Sequence, residues 1–160
     1  MVHDCKIWAY YGNGHGKSAA AIGDAISLAS DENSVVLIQF LKPQYSESYV
    51  KRFEPEFKIF RTARNEKCFS ELDKQEKEEE IENIKNGISL ARKFLVTDGC
   101  QILVLDEVLG IIDEGIITED NLIELLKEKQ EEQTVIMTGT IITDKISQIC
   151  DHIVNVIKEK

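Results

Sequence analysis

Proline, basic side chains and long apolar runs are all scarce in this sequence. Only two prolines occur among 160 residues, of which 42% are hydrophobic, so a largely disordered chain is disfavoured. No apolar run approaches the roughly 18 residues that a membrane helix needs, and we expect no membrane partner. The 19 Lys and Arg are outnumbered by 29 Asp and Glu, and the net charge of −10 disfavours nucleic acid as a partner.

Cysteine is also sparse and scattered. Cys5, Cys68, Cys100 and Cys150 form no Cys-x-x-Cys pair, and no set of His, Cys and Asp has the spacing of metal ligands, so a zinc site is not expected. Nothing at the N-terminus resembles a signal peptide. We therefore expect reduced thiols, a cytoplasmic location and, at this length, a single domain over residues 1–160.

Apolar runs alternate with helix-like segments along the chain. Strands are predicted at residues 6–11, 35–40, 57–60, 102–105, 134–138 and 153–157, and helices at 17–29, 73–95, 118–129 and 143–150. The runs at 35–40 and 102–105 are apolar almost throughout, which is typical of parallel strands covered on both faces. The alternation predicts a three-layer α/β/α fold around a mainly parallel sheet, with right-handed crossovers.

Residues 42–73 are harder to interpret because Pro43 and Pro55 interrupt them. Apart from the short strand at 57–60, no regular element is predicted there before the charged helix start near Asp73. We expect this region to be mobile and to carry a lid or a substrate pocket.

A glycine-rich loop separates the first strand from the first helix. It reads Gly12-Asn13-Gly14-His15-Gly16-Lys17-Ser18. A nucleoside triphosphate needs converging backbone amides, a lysine ammonium to balance charge and a hydroxyl to bind Mg²⁺, and this loop contains all three. Lys17 is the expected point charge and Ser18 the magnesium ligand, while the helix that follows adds its N-terminal dipole. The segment therefore favours a phosphate-binding loop over a glycine turn with an exposed lysine.

The spacing of this loop differs from the common pattern Gly-x-x-x-x-Gly-Lys-Ser/Thr. That pattern would place a glycine at position 11, where the chain has Tyr11, and the first glycine is shifted to Gly12. His15, inside the loop, either touches phosphate or occupies a permissive turn position.

Two carboxylates, Asp106 and Glu107, follow the apolar run at 102–105. At such a strand end one carboxylate can hold Mg²⁺ directly or through water, and the second can act as metal ligand or base. A solvated acidic pair would be the simpler explanation in this acidic chain, but the glycine loop upstream favours a functional role. Residues 138–140, Thr-Gly-Thr, either place polar groups beside the nucleotide or form a plain turn.

Four segments, in this order, resemble the P-loop family of ATP:corrinoid adenosyltransferases. That family carries the blocks G-N-G-K-G-K-T-T-A, V-Q-F-I-K, V-L-D-E-L and V-T-G-R. The corresponding segments are residues 12–20, 36–42, 104–108 and 135–139. The glycine loop, shorter by one residue, is the most specific of them, and the resemblance spans nearly the whole chain.

The resemblance implies a RecA-like fold, a homodimer and a flavoprotein reductant. It implies transfer of the adenosyl group of MgATP to cob(I)alamin or cob(I)yrinic acid a,c-diamide, with release of triphosphate, so ATP, Mg²⁺ and a corrinoid co-substrate are the expected ligands. The implied nucleotide-binding residues are Gly12, Asn13, Gly14, His15, Gly16, Lys17, Ser18 and Ala19. Lys17 and Glu107 would carry the catalytic roles. Ser18 and Glu107 would bind Mg²⁺, with Asp106 supporting the ion from behind them.

The sequence also differs from the family blocks. Residues 138–140 replace the family's T-G-R, and an F-T-W segment that covers the corrinoid corresponds only to Lys-Cys-Phe at 67–69. Phe60 and Phe69 are the candidate corrinoid-contacting aromatics. Two other functions stay open: an ATPase or kinase-like regulator in which Glu107 orients water or another acceptor, and a nucleotide-binding protein without catalysis.

Overall fold

The computed structural model describes residues 6–42, 52 and 56–160. Cys5, Pro43 and Pro55 lie outside the described residues, as do residues 43–51 and 53–55 of the region in which the sequence predicts a lid or a substrate pocket. The thiols of Cys68, Cys100 and Cys150 are free. Within the described ranges, no helix is both long enough and apolar enough to cross a membrane.

Six parallel strands form one sheet. They are β1 (Ile7–Tyr11), β2 (Val35–Gln39), β3 (Phe57–Arg61), β4 (Ile102–Asp106), β5 (Thr134–Thr138) and β6 (His152–Asn155), in the spatial order β3-β2-β4-β5-β1-β6. Every residue of β2, β4 and β5 is buried, which accounts for their nearly continuous apolar sequences. The predicted parallel sheet is confirmed.

Helices cover both faces of the sheet. They are α1 (Lys17–Leu28), α2 (Lys74–Val96), α3 (Val108–Asp113), α4 (Glu119–Lys127) and α5 (Asp144–Ile149). Ala21, Ile22 and Ala25 of α1 pack on one face with alternate strand residues such as Leu37. Apolar residues of the other four helices pack on the opposite face with the intervening strand residues. This is the three-layer α/β/α arrangement that the alternation predicts.

The helix boundaries follow from capping chemistry. Asp73 accepts a hydrogen bond from the Glu76 amide at 2.9 Å, and the Glu76 carboxylate accepts from the Asp73 amide at 3.0 Å, so the charged segment begins with a capping box. Thr118 caps α4 in the same reciprocal way, and the Thr143 hydroxyl accepts from the first turn of α5. The predicted starts of these helices are confirmed to within a residue.

Three elements differ from the sequence-based expectation. The last strand ends at Asn155, whereas the apolar pattern predicted a strand through Ile157. Helix α3 was not predicted, because its six residues directly follow the carboxylate pair and are too few to show a helical period. A one-turn 3₁₀ helix at Phe69–Glu71 was likewise missed.

The strand register brings the polar strand ends together. Tyr10 pairs with Thr138 between β1 and β5, and Gln39 pairs with Asp106 between β2 and β4. Since all strands are parallel, the residues that follow their carboxyl ends meet at one edge of the sheet, where ligands bind in open α/β folds.

Replacing Leu103 of β4 with alanine should lower the free energy of unfolding by about 3 kcal/mol, because this side chain is fully buried between the sheet and the helices. Val96→Ala is the control, since Val96 is 51% exposed and should change stability by less than about 0.5 kcal/mol. Urea denaturation of both variants measures the difference, and equal losses would contradict the described core.

Candidate functional site

The buried carboxylate of Asp106 lies at the centre of the site. One carboxylate oxygen, Oδ1, accepts hydrogen bonds from the hydroxyls of Ser18 at 2.7 Å and Thr138 at 2.6 Å. The other, Oδ2, accepts from the Lys42 ammonium at 2.5 Å and the Gln39 amide at 3.2 Å. Asp106 is 0% exposed, so these four donors replace the water that it loses on folding. The solvated-surface interpretation of this residue is therefore wrong.

Lys42 was not predicted as a site residue. Its ammonium donates to the Ser18 hydroxyl at 2.6 Å as well as to Asp106, so it joins the glycine loop to the end of β4. The preceding residue, Leu41, has a left-handed backbone with φ of 56°, which is uncommon for a non-glycine residue. Two sequence signals were available for it: Lys42 closely follows an apolar strand, and it corresponds to the lysine of the family block V-Q-F-I-K.

Two glycines shape the loop by allowing close approach to the C-terminal segment of the chain. Gly12 has φ of 117°, and a Cβ there would lie 2.3 Å from the carbonyl oxygen of Val156. The amide of Gly12 donates to the Thr140 carbonyl at 3.0 Å, and the amide of Gly14 donates to Val156 at 2.8 Å. Both amides already donate to carbonyl oxygens within the chain, so these two glycines shape the loop and other groups must donate to phosphate.

The start of α1 is the part of the loop best suited to an anion. Gly16 is its N-cap residue with φ of 97°, and no side chain caps the helix. The first amides of an α-helix have no acceptor inside it, and the helix dipole adds positive potential at this end. The Lys17 ammonium donates to the Gly14 carbonyl at 2.8 Å. Positive groups therefore converge where the sequence predicts phosphate.

A surface cleft of about 400 Å³ runs along this loop. Its lining residues are Gly14, His15, Gly16, Lys17, Ser18, Ala19, Ile22, Lys42 and Glu107. Of the predicted site residues, Gly12 is buried beside the cleft, Asn13 accepts a hydrogen bond from the Lys158 amide at 3.3 Å, and Asp106 is joined to the lining through Ser18. The cleft thus holds two ammonium groups and one carboxylate.

Glu107 caps α3 in a left-handed conformation with φ of 62°. Its amide donates to the Thr138 hydroxyl at 2.7 Å, and its carboxylate packs against Gly110, where a Cβ would lie 2.7 Å from Oε1. Burial raises the pKa of the Glu107 carboxyl above its ordinary value, the charge of Asp106 adds to the rise, and Lys42 and Lys17 oppose it. Thr138, the last residue of β5, thereby contacts the carboxylate of Asp106 and the backbone of Glu107.

The two aromatics suggested for corrinoid contact do not lie in this cleft. Phe60 is on β3, 36% exposed, with its ring 5.8 Å from that of Phe94, and it lines a separate depression of about 190 Å³. Phe69 begins the 3₁₀ helix, with the Lys77 ammonium 5.8 Å from its ring centre. The described residues therefore do not bring these two rings to the glycine loop.

An all-parallel α/β/α sheet with a glycine loop before α1 and a carboxylate pair at the end of β4, of which Asp106 is buried, defines a P-loop-type fold. Residues 4–160 match the model of the family described as ATP:corrinoid adenosyltransferase BtuR/CobO/CobP, and the chain belongs to this family. ATP-dependent adenosylation of corrinoids is the family's activity, which makes it a family of transferases. The resemblance inferred from the four sequence blocks is confirmed.

The relatives are distant. The chain is 25% identical over 150 residues to the corrinoid adenosyltransferase of Escherichia coli strain K12, covering 92% of this chain and 74% of that protein. It is 28% identical over 165 residues to an uncharacterized protein of Nostoc sp. strain PCC 7120, covering 91% and 42% of the two chains. Among solved structures, C. elegans PCH-2 matches at 15% identity with a TM-score of 0.46, over 94% of this chain and 34% of that one.

Thr138→Val should reduce the free energy of unfolding by at least about 2 kcal/mol, because a buried carboxylate loses a donor and the Glu107 amide loses its acceptor. The substitution keeps the side-chain volume nearly constant. Thr140→Val, at an exposed position, is the matched control. Chemical denaturation of the two variants provides the comparison, and a Thr138→Val protein as stable as the control would show that the hydroxyl is dispensable.

Glu107→Gln should stabilise the protein at neutral pH, with a smaller gain at about pH 4. The pKa of Glu107 is higher in the folded protein than in the unfolded chain, so its ionisation costs stability as pH rises through the folded pKa. Below the unfolded pKa the carboxyl is neutral in both states and the penalty vanishes. Thermal unfolding midpoints across this pH range measure the effect, with exposed Glu114→Gln as control; a pH-independent gain would argue against it.

Proposed function

We propose that the protein transfers the adenosyl group of MgATP to a reduced corrinoid, cob(I)alamin or cob(I)yrinic acid a,c-diamide, and releases triphosphate. Family membership supports the reaction class. The observation that carries the proposal is the convergence of Lys17, Ser18 and the N-terminus of α1 on one cleft, with Asp106 hydrogen-bonded behind the serine. That combination suits a polyphosphate bound together with a metal ion.

The residues of the cleft have separate roles in this proposal. The first amides of α1, from Lys17 onward, bind phosphate oxygens, and His15 lies at the exposed rim. The Lys17 ammonium exchanges its contact with the Gly14 carbonyl for one with phosphate. Gly12 and Gly14 hold the loop open through their bonds to Thr140 and Val156.

The donor set fits Mg²⁺ rather than a softer metal. No group of three or more His, Cys, Asp or Glu that could hold a metal occurs among the residues described. Mg²⁺ is usually bound through one or two carboxylates, with phosphate and water completing its shell. Ser18 and Glu107 would hold the ion, with Asp106 orienting the serine hydroxyl. The bound ion would neutralise charge on the phosphate oxygens.

Adenosyl transfer requires the site to stabilise the negative charge of the leaving triphosphate. The electron pair of the reduced cobalt attacks the 5′ carbon of the ribose, the bond from that carbon to oxygen breaks, and triphosphate leaves with the bonding electrons. Negative charge therefore builds on the leaving group. Preformed cations and amide dipoles beside the triphosphate lower this barrier, and Lys17, Lys42 and the start of α1 are placed in the cleft to do so.

The remaining features of the proposal rest on the family resemblance. A homodimer and a flavoprotein that reduces the corrinoid are the proposed partners. Phe60 and Phe69 remain proposed corrinoid contacts, although the described residues leave them away from the glycine loop.

ATP hydrolysis is the second candidate function, and Glu107 is the observation in its favour. Its carboxylate lines the cleft, and its raised pKa brings it closer to the range in which a carboxylate serves as a general base. In that case Glu107 would orient water toward the terminal phosphate, and no corrinoid would be needed.

Product analysis separates the two functions. Incubation with MgATP and chemically reduced cobalamin should yield adenosylcobalamin and triphosphate, measured by absorbance and anion-exchange chromatography. ADP and inorganic phosphate formed without corrinoid would support hydrolysis, and nucleotide binding without any product would contradict both functions.

Lys17→Ala should weaken nucleotide binding by about tenfold or more, because a charged hydrogen bond to phosphate is lost. Lys58→Ala, at an exposed position of β3, should leave nucleotide binding unchanged.

A further inference from the structure

We infer that Lys42 is an internal counter-ion of Asp106 that competes with a magnesium ion for the Ser18 hydroxyl and moves away when the ion binds. The inference rests on the proposed nucleotide site and concerns a residue to which neither the glycine loop nor the carboxylate pair draws attention. It explains why an ammonium group contacts both the hydroxyl and the carboxylate beside the phosphate cleft.

The geometry makes Lys42 and a metal ion alternatives at the serine. Ser18 donates its one hydroxyl proton to Asp106, so the contact of 2.6 Å with the Lys42 ammonium uses a lone pair of the serine oxygen. The oxygen has a second lone pair, but an ammonium group and a divalent metal ion on the same hydroxyl oxygen would repel each other strongly, so one cation displaces the other. The ammonium also contacts Asp106 at 2.5 Å, so it lies between the serine hydroxyl that would bind the ion and the carboxylate that orients this hydroxyl.

Charge balance gives the reason for such an arrangement. Asp106 is 0% exposed, and an ionised carboxylate without a cation partner at such a position is strongly destabilising. Its other donors, Gln39, Ser18 and Thr138, are neutral. Among the described contacts of Asp106, Lys42 is the one that brings a positive charge, so the protein without metal depends on it.

The Lys42 ammonium can also move away from Asp106. Its side chain is 29% exposed and already lines the cleft, while Asp106 behind it is fully buried. A flexible four-carbon stem lets the ammonium move from the carboxylate into the cleft without a change of backbone. There it would add a second lysine charge, beside Lys17, to neutralise the triphosphate. One residue thus stabilises Asp106 before nucleotide binds and the leaving group afterwards.

Manganese titration without nucleotide tests this inference, with Mn²⁺ as the probe and electron paramagnetic resonance as the readout. Lys42→Met keeps most of the length of the side chain and removes its charge. This variant should bind Mn²⁺ tighter than the wild type by about tenfold or more, because the competing cation is gone. Lys42→Arg, which keeps the charge, and Lys58→Met, an exposed lysine on β3, should bind Mn²⁺ as the wild type does.

Unfolding temperature supplies a second readout. Lys42→Met should unfold at a lower temperature than the wild type in the presence of a chelator, and MnCl₂ alone should restore much of the lost stability.

A double variant locates the ion in the Mn²⁺ titration. Adding Ser18→Ala to Lys42→Met should abolish the gain in Mn²⁺ binding, because the ion binds at the serine. If Lys42→Met fails to fold with or without metal, the same titration of Lys42→Gln decides.

Equal or weaker Mn²⁺ binding by Lys42→Met would overturn the inference, as would a gain that persists after Ser18→Ala. These titrations contain neither ATP nor corrinoid, so their outcome is separate from that of the product analysis. A protein that makes adenosylcobalamin while Lys42→Met binds Mn²⁺ no better than wild type would retain the proposed function and lose only the counter-ion role.

Discussion

The buried Asp106 carboxylate is the interaction on which the rest of the site depends. Its hydrogen bonds join the glycine loop, the ends of β2 and β4, and β5. This convergence requires parallel strands in register: Gln39 pairs with Asp106, and the pairing of β4 with β5 reaches Leu105 and Met137, the residues directly before Asp106 and Thr138. A buried carboxylate without hydrogen-bond donors would destabilise the fold by far more than any single hydrogen bond stabilises it. The network therefore constrains the surrounding loops to a single arrangement.

The glycine loop depends on support from a distant part of the chain. Val156 and Lys158, which follow β6, contact Gly14 and Asn13, and Thr140 contacts Gly12. β6 pairs with β1, so the strand before the loop and the segment beneath it are parts of one ladder. The loop is therefore preorganised by the edge of the sheet, which lowers the entropy lost when an anion binds at the start of α1.

Much of the fold could be predicted because its signals are local. Continuous apolar runs indicated buried parallel strands, and the sequence pattern placed helix starts near Asp73 and Thr118, where the structure shows helix caps. The loop residues Lys17 and Ser18 were recognisable for the same reason, since their neighbours in sequence create their chemistry. Helix α3 escaped prediction because six residues after Glu107 show no period. Lys42 escaped because its partners, Ser18 and Asp106, are far from it in sequence.

The sequence by itself determined the order of the six strands and of four of the five α-helices in the described part of the chain, the residues of the glycine loop and the family to which the chain belongs. Only the tertiary structure decided that the amides of Gly12 and Gly14 are already used, that Thr138 joins the Asp106 carboxylate to the Glu107 backbone, and that an ammonium group lies between Ser18 and Asp106. The physical reason is that composition and spacing show which groups are present. Burial and long-range hydrogen bonds determine which of these groups are still free to bind a ligand.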